Sequence, residues 1–204
     1  MKPVVLLAAF ALAAASPALA APQVRGGDID YGQADHGQTP SGDSKGPVSR
    51  DTGAIAEDLR LQGKCDKAVP MLRLVVERGS GYQISQFDLG ECLLDMAKTQ
   101  PDPKKAADMR NEGAMWVVRA ADGGFNKAQA AAVLLYLDGT GVAADPIEAE
   151  KWALLYHSNG IRLALGLPDI APDVKDRLDT ILTDSTRREA RARADTWTPP
   201  QLDQ

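Results

Sequence analysis

Residues 128–160, AQAAAVLLYLDGTGVAADPIEAEKWALLYHSNG, decide the fold. Small and apolar side chains fill the part from Ala128 to Leu137, and Asp138-Gly139-Thr140-Gly141 makes a turn. A second segment opens at Asp145-Pro146 and runs to Ser158. Asp before Pro is a helix start, because the carboxylate accepts from free N–H groups and Pro is tolerated in the first turn. Asn159-Gly160 is expected to stop the helix by supplying left-handed positions. Ala149, Trp152, Ala153 and Tyr156 recur on one face of the second segment, while Glu148, Glu150 and Lys151 lie off it. The unit reads as helix, turn, helix.

Position by position, this unit resembles the Sel-one-like repeat, a relative of the tetratricopeptide repeat. The repeat's opening Ala corresponds to Ala128 and its Tyr to Tyr136. Its glycine turn corresponds to Gly139, Gly141 and Val142, and its Asp to Asp145. Its Ala-x-x-Trp corresponds to Ala149 and Trp152, and its closing Gly to Gly160. The chain departs from the pattern at Ala132-Val133, where Leu-Gly is usual, and at Tyr156-His157, where Ala-Ala is usual. A rival reading takes Val133 to Leu137 as a strand and Gly139 to Ala144 as a dinucleotide-binding G-x-G-x-x-A. That fingerprint needs a helix opening inside the loop and further βαβ units. Here the helix start comes only after the motif has ended, and no other stretch reads as a strand.

Two further copies precede the unit. In one, Leu89-Gly90 stands where the repeat has Leu-Gly, Asp102-Pro103 repeats Asp145-Pro146, and Trp116, Ala120-Ala121 and Gly124 repeat the end. Trp116 and Trp152 stand one ordinary repeat period apart. In the other, degenerate copy, Ala68, Met71, Val75-Val76 and Gly79 repeat the second helix. About seven extra residues separate Ala106 from Trp116, close to two helical turns. That spacing predicts a lengthened helix with Met109 and Trp116 on one face. After Gly160, Ile161 to Leu167 reads as a short helix. A last helix opens at Pro172-Asp173 with Val174, Leu178, Ile181 and Leu182 inward, and its apolar stripe changes side near Ser185.

The chain therefore divides, by expectation, into a signal peptide (1–20), a disordered tail (21–52), a repeat array (53–164), a C-terminal helical cap (165–198) and a frayed end (199–204). Lys2, the apolar run Val4 to Ala15 and Ala18-Leu19-Ala20 carry the signal reading. The Gly-, Asp- and Ser-rich tail cannot bury enough apolar surface to order itself. The fold expected is all-α: a right-handed α-solenoid of about three hairpins with a capping helix. Stacked hairpins each bury a face on the next, and a terminal cap closes the array.

A formal charge of −5, from 23 basic and 28 acidic residues, argues against nucleic acid. The apolar run at the start is short for a membrane span, so the chain reads as not membrane-spanning, periplasmic or secreted. Export permits a disulfide between Cys65 and Cys92; two buried thiols acting as small hydrophobes are the alternative. His157 occupies an alanine site of the repeat and has no nucleophile or carboxylate beside it in sequence, so it reads as structural. His36 reads as solvated. Trp116 and Trp152 read as packing anchors, and Arg187, Arg188, Arg191 and Arg193 as a solvated basic face. No catalytic residue, metal ligand or cofactor is expected.

What the resemblance implies about function is a class: an adaptor or scaffold that binds a protein or peptide of the cell envelope through a concave groove lined by the first helices of the hairpins. Gln83, Gln86, Asp88, Glu91, Lys127 and Gln129 are the polar residues on or beside those helices. The resemblance also brings a β-lactam- or cell-wall-related hydrolase as an alternative, and the patch of Arg187, Arg188, Arg191 and Arg193 gives a second, a cell-wall-binding module.

Overall fold

A computed structural model describes residues 51–78 and 81–199, so the expectations for residues 1–20, most of 21–52, Gly79 and 200–204 lie outside the described residues. Among the described residues all regular structure is helical: α1 (Asp51–Leu61), α2 (Cys65–Val76), α3 (Gln83–Thr99), α4 (Pro103–Asp122), α5 (Asn126–Asp138), α6 (Pro146–His157), α7 (Gly160–Ala164), α8 (Pro172–Ile181) and α9 (Asp184–Asp195). The segment read alternatively as a strand, Val133 to Leu137, lies inside α5, which removes the dinucleotide fingerprint.

Local chemistry explains several helix ends. Asp102 accepts hydrogen bonds from the backbone N–H groups of Lys104 and Lys105, and Asp145 from those of Ile147 and Glu148. Each of these caps is followed by Pro in the first turn, where its missing N–H is not needed. α5 ends at Gly139 in the left-handed region, φ 67°. Three ends differ from the sequence reading. α1 begins at Asp51, so the expected tail boundary at residue 52 falls inside it, and Thr52 is buried. Gly160 does not stop α6 but opens α7, because Asn159 stays at φ −63° and its side chain accepts from the N–H groups of Ile161 and Arg162. The last helical stretch, whose apolar stripe changes side near Ser185, is two helices with a break at Leu182-Thr183, because Thr183 and Thr186 form a reciprocal cap.

Consecutive helices pack on one another from α1 through α6, α1 also touches α3, and α6 is covered by α9 and more lightly by α8. The α3–α4 pair is held closest. A Cβ on Gly90 would stand 2.7 Å from the Gly113 carbonyl oxygen, and one on Gly113 would stand 2.9 Å from that of Gly90. Backbone meets backbone there, and no side chain fits. α4 runs unbroken through the inserted residues, and Met109 and Trp116 both pack on the cluster formed by Ala56, Ala68, Leu72, Leu89 and the two cysteines. A second, larger cluster surrounds Trp152, with Val117, Val133, Ala149 and Leu178 among its buried members. Gly141 fixes the α5–α6 turn on α4: at φ 72°, a Cβ there would lie 2.2 Å from the Arg110 carbonyl oxygen.

Candidate functional site

The six polar residues expected to line a groove do not share one fate. Gln86, Asp88 and Gln129 are buried, so they face neighbouring helices and not solvent. Polarity alone marked them as surface groups. The correction is that each satisfies an internal contact or sits beneath one. Gln129 Oε1 accepts from Asn159 Nδ2 at 2.9 Å, and the same nitrogen donates to the Gly124 carbonyl at 3.1 Å, tying α5 to the chain after α6. Asp88 Oδ1 lies 2.5 Å from Arg60 Nε, joining α3 to α1, while Asp88 Oδ2 has no hydrogen-bond partner among the described residues. Gln83 is half-buried with its side chain over Gly123, Glu91 is half-buried, and Lys127 is exposed.

Burial pushes the Asp88 carboxyl up to about 6; Arg60 and Lys127 pull it back down, and Glu57 adds to the rise. Burial also raises Glu91, with Asp95 adding to it, and raises Asp122 against the opposing Lys151 charge and the hydrogen bond from Trp197. Asp88 thus holds its proton at pH values where the unfolded chain, with a pKa of 3.8, has lost it. The folded state binds more protons in that window, so this group's contribution to stability grows as pH falls from neutrality toward 4. The gain is about 2–3 kcal/mol at most. Urea unfolding of Asp88→Asn followed across this window should show a flatter pH dependence than the parent. Superimposable pH profiles would show that the burial of Asp88 does not act this way.

An open groove lies between α3 and α5. Its volume is about 250 Å³, and it is lined by Glu91, Leu94, Asp95, Lys98, Arg110, Ala131, Leu134, Leu135, Asp138 and Thr140. Leu134 is 43% exposed on it. Several of the groove's charges are already engaged: Asp95 by Lys98 at 2.7 Å and Asp138 by Arg177 of α8 at 2.5 Å.

A second cleft, of about 310 Å³, lies where α6, α8 and α9 meet. Its feature is a pair that sequence spacing hid: His157 Nδ1 stands 2.8 Å from Asp169 Oδ2, which also receives Lys175 Nζ at 2.7 Å. Burial would raise the Asp169 carboxyl, but these two hydrogen bonds and the Ile170 N–H hold it well below the usual carboxylate range. The pair bridges residues 12 apart across the α7 turn, so a carboxylate does face His157 after all. His157 itself is exposed rather than packed on a neighbouring hairpin. No Ser, Thr or Cys lines this cleft.

The arginines of α9 are not one solvated face. Arg187 reaches Glu150 of α6 at 3.3 Å, and Arg193 reaches Glu148 at 3.1 Å and Asp145 at 3.4 Å. Arg188 and Arg191 remain exposed. Hydrogen bonding to Glu189 and then to Glu148 and Asp145 raises the Arg193 pKa further above its ordinary value. Arg162, in α7, is buried and donates only to carbonyls, those of Tyr156, Leu167 and His157.

The structure joins Cys65 to Cys92, tying the start of α2 to the middle of α3. Trp152 is wholly buried and Trp116 half-buried with its indole over the first cluster. Tyr136 is half-buried, and burial with the charges of Glu148, Asp122 and Asp145 pushes its hydroxyl up to about 12. Among the described residues no three His, Cys, Asp or Glu side chains are placed to hold a metal, and no helix is long and apolar enough to cross a membrane. No family model matches the chain, and neither does any curated protein.

Proposed function

We propose that this chain is an exported, non-catalytic adaptor that holds a protein or peptide partner in the groove between α3 and α5. In this reading α1/α2, α3/α4 and α5/α6 are three Sel-one-like hairpins of a right-handed solenoid, and α7 to α9 are its cap. The observation that carries the reading is the groove itself. Its floor is apolar and open, with Leu134 exposed on it, and charged side chains rim it. Such a surface suits a peptide whose apolar side chain anchors while its flanks pair with charges. The sequential packing of α1 to α6 supports the hairpin reading, and the buried disulfide supports an oxidising compartment such as the periplasm or the exterior.

The test is a photo-cross-linking residue placed at Leu134 in the native envelope, with the same residue at Leu74 on α2 as the outer-surface control. Both leucines are exposed, at 43% and 46%. A discrete adduct at Leu134 and none at Leu74 is expected. Adducts confined to Leu74, or to a third probe at Arg191, would move the binding surface elsewhere and defeat the reading.

A further inference from the structure

We infer that α9 is a displaceable strap: it covers, within its own chain, a face of α6 that takes an arginine-bearing helix from another chain. The chemistry of that occupant is read from α9, which fills the face here, and it does not depend on the α3–α5 groove. Ala190 is the only buried residue of α9. Arg187 and Arg193 stand one turn to either side of it, and Ala194 and Trp197 continue the same stripe. Arg187 reaches Glu150, and Arg193 reaches Glu148 and Asp145. Glu148 and Glu150 flank the buried stripe of Ala149, Trp152 and Tyr156, so the two arginines grip α6 from opposite sides. Trp197 completes the seat: its ring meets that of Trp152 edge-on, and its side chain donates to Asp122.

This strap brings little apolar surface to its seat, in Ala190, Ala194 and Trp197, and holds on largely through partly exposed ion pairs. An element so held opens at lower free energy than a packed core helix. Its hinge is local. No Gly or Pro occurs from Asp173 to Thr198, so no helix-breaking residue imposes the bend at Leu182-Thr183. Leu178 and Leu182 anchor α8 in the larger cluster, and Arg187 on Asp179 ties α9 back to α8. Lifting α9 uncovers the indole of Trp152 between two carboxylates, a seat of the kind that binds through a central aromatic and flanking charges. The tethered α9 competes at high effective concentration, so a helix from another chain enters when the strap is loosened.

The experiment uses the oxidised full chain, its Arg187→Gln/Arg193→Gln double variant, and a labelled peptide of residues 183–198. A second peptide carries Gln at both arginine positions. Fluorescence anisotropy should show the arginine peptide binding the double variant about tenfold more tightly than it binds the parent, because two ion pairs no longer hold the competing strap. The glutamine peptide should show no such gain, and Glu150→Lys added to the double variant should remove it. Hydrogen exchange should quicken in α9 of the double variant, and in the parent at high salt, while α5 and α6 keep their protection. Equal binding to parent and double variant, equal binding of the two peptides, or a gain that survives Glu150→Lys would overturn the covered seat. Exchange in α9 that rises only together with α5 and α6, in the variant and in salt alike, would show that α9 belongs to the core and is no strap.

Discussion

Trp152→Ala should destabilise the fold by about 3–5 kcal/mol, the range for truncating a fully buried large aromatic. Trp152 is 0% exposed in the larger cluster and faces Trp197 edge-on with ring centroids 6.5 Å apart. The Lys151 ammonium lies 4.0 Å from its ring. The indole Nε1 has no hydrogen-bond partner among the described residues. The side chain therefore acts through volume and ring contacts, and Trp152→Phe should keep much of the stability because it abandons no hydrogen bond. The loss should spread to the cap. Trp197 follows α9, and α9 covers α6, so an empty Trp152 site removes the surface on which the cap rests. Urea unfolding of the two variants measures the difference. An alanine variant with parental stability that had lost only the Leu134 cross-link would reassign Trp152 to partner binding.

What the sequence disclosed follows the range of the forces involved. Asp102-Pro103 and Asp145-Pro146 are complete local statements: a cap and a first turn within a few residues, and both helices start there. The apolar face of α6 is also local, through its periodicity. The Thr183 cap escaped notice because its reciprocal partner is Thr186 and not the Glu or Gln that marks a capping box. Asn159-Gly160 looked like a terminator, yet the same Asn side chain that permits a left-handed turn can cap the next helix. Gly113 inside α4 reads only as a weak helix former; its reason is the Gly90 backbone across the hairpin. The residues at and beneath the α3–α5 groove were the least legible. Glu91 and Asp88 differ by three positions and carry the same charge, but only the packing of α1 decides that Arg60 covers one and leaves the other at the groove. His157 and Asp169 meet across the α7 turn, which Arg162 ties down by donating to three carbonyls.

Removing the bond between Cys65 and Cys92 is the other large effect. The cysteines are 27 residues apart in sequence, and closing such a loop stabilises the fold by about 3.5 kcal/mol in the chain-entropy description. Cys92 is inaccessible and Cys65 nearly so, so in the native protein reduction should be slow and should quicken when denaturant opens the first cluster. Alkylation of the unreduced chain under denaturing conditions should label neither thiol; complete labelling of both would show that no bond forms. The consequences should be local as well as global. The α1–α2 pair reaches the rest of the chain through the small cluster around the cysteines, through Arg60 on Asp88 and through Arg73 on Glu112 of α4. The Arg73 pair is partly exposed and contributes little by itself. Cys65→Ala with Cys92→Ala should therefore free α1 and α2 first. Hydrogen exchange should accelerate in those two helices while α5 and α6, packed around Trp152, keep their protection. Acceleration spread evenly over all the helices would mean that the chain opens as one unit and that the bond does not act as the tether of its first hairpin.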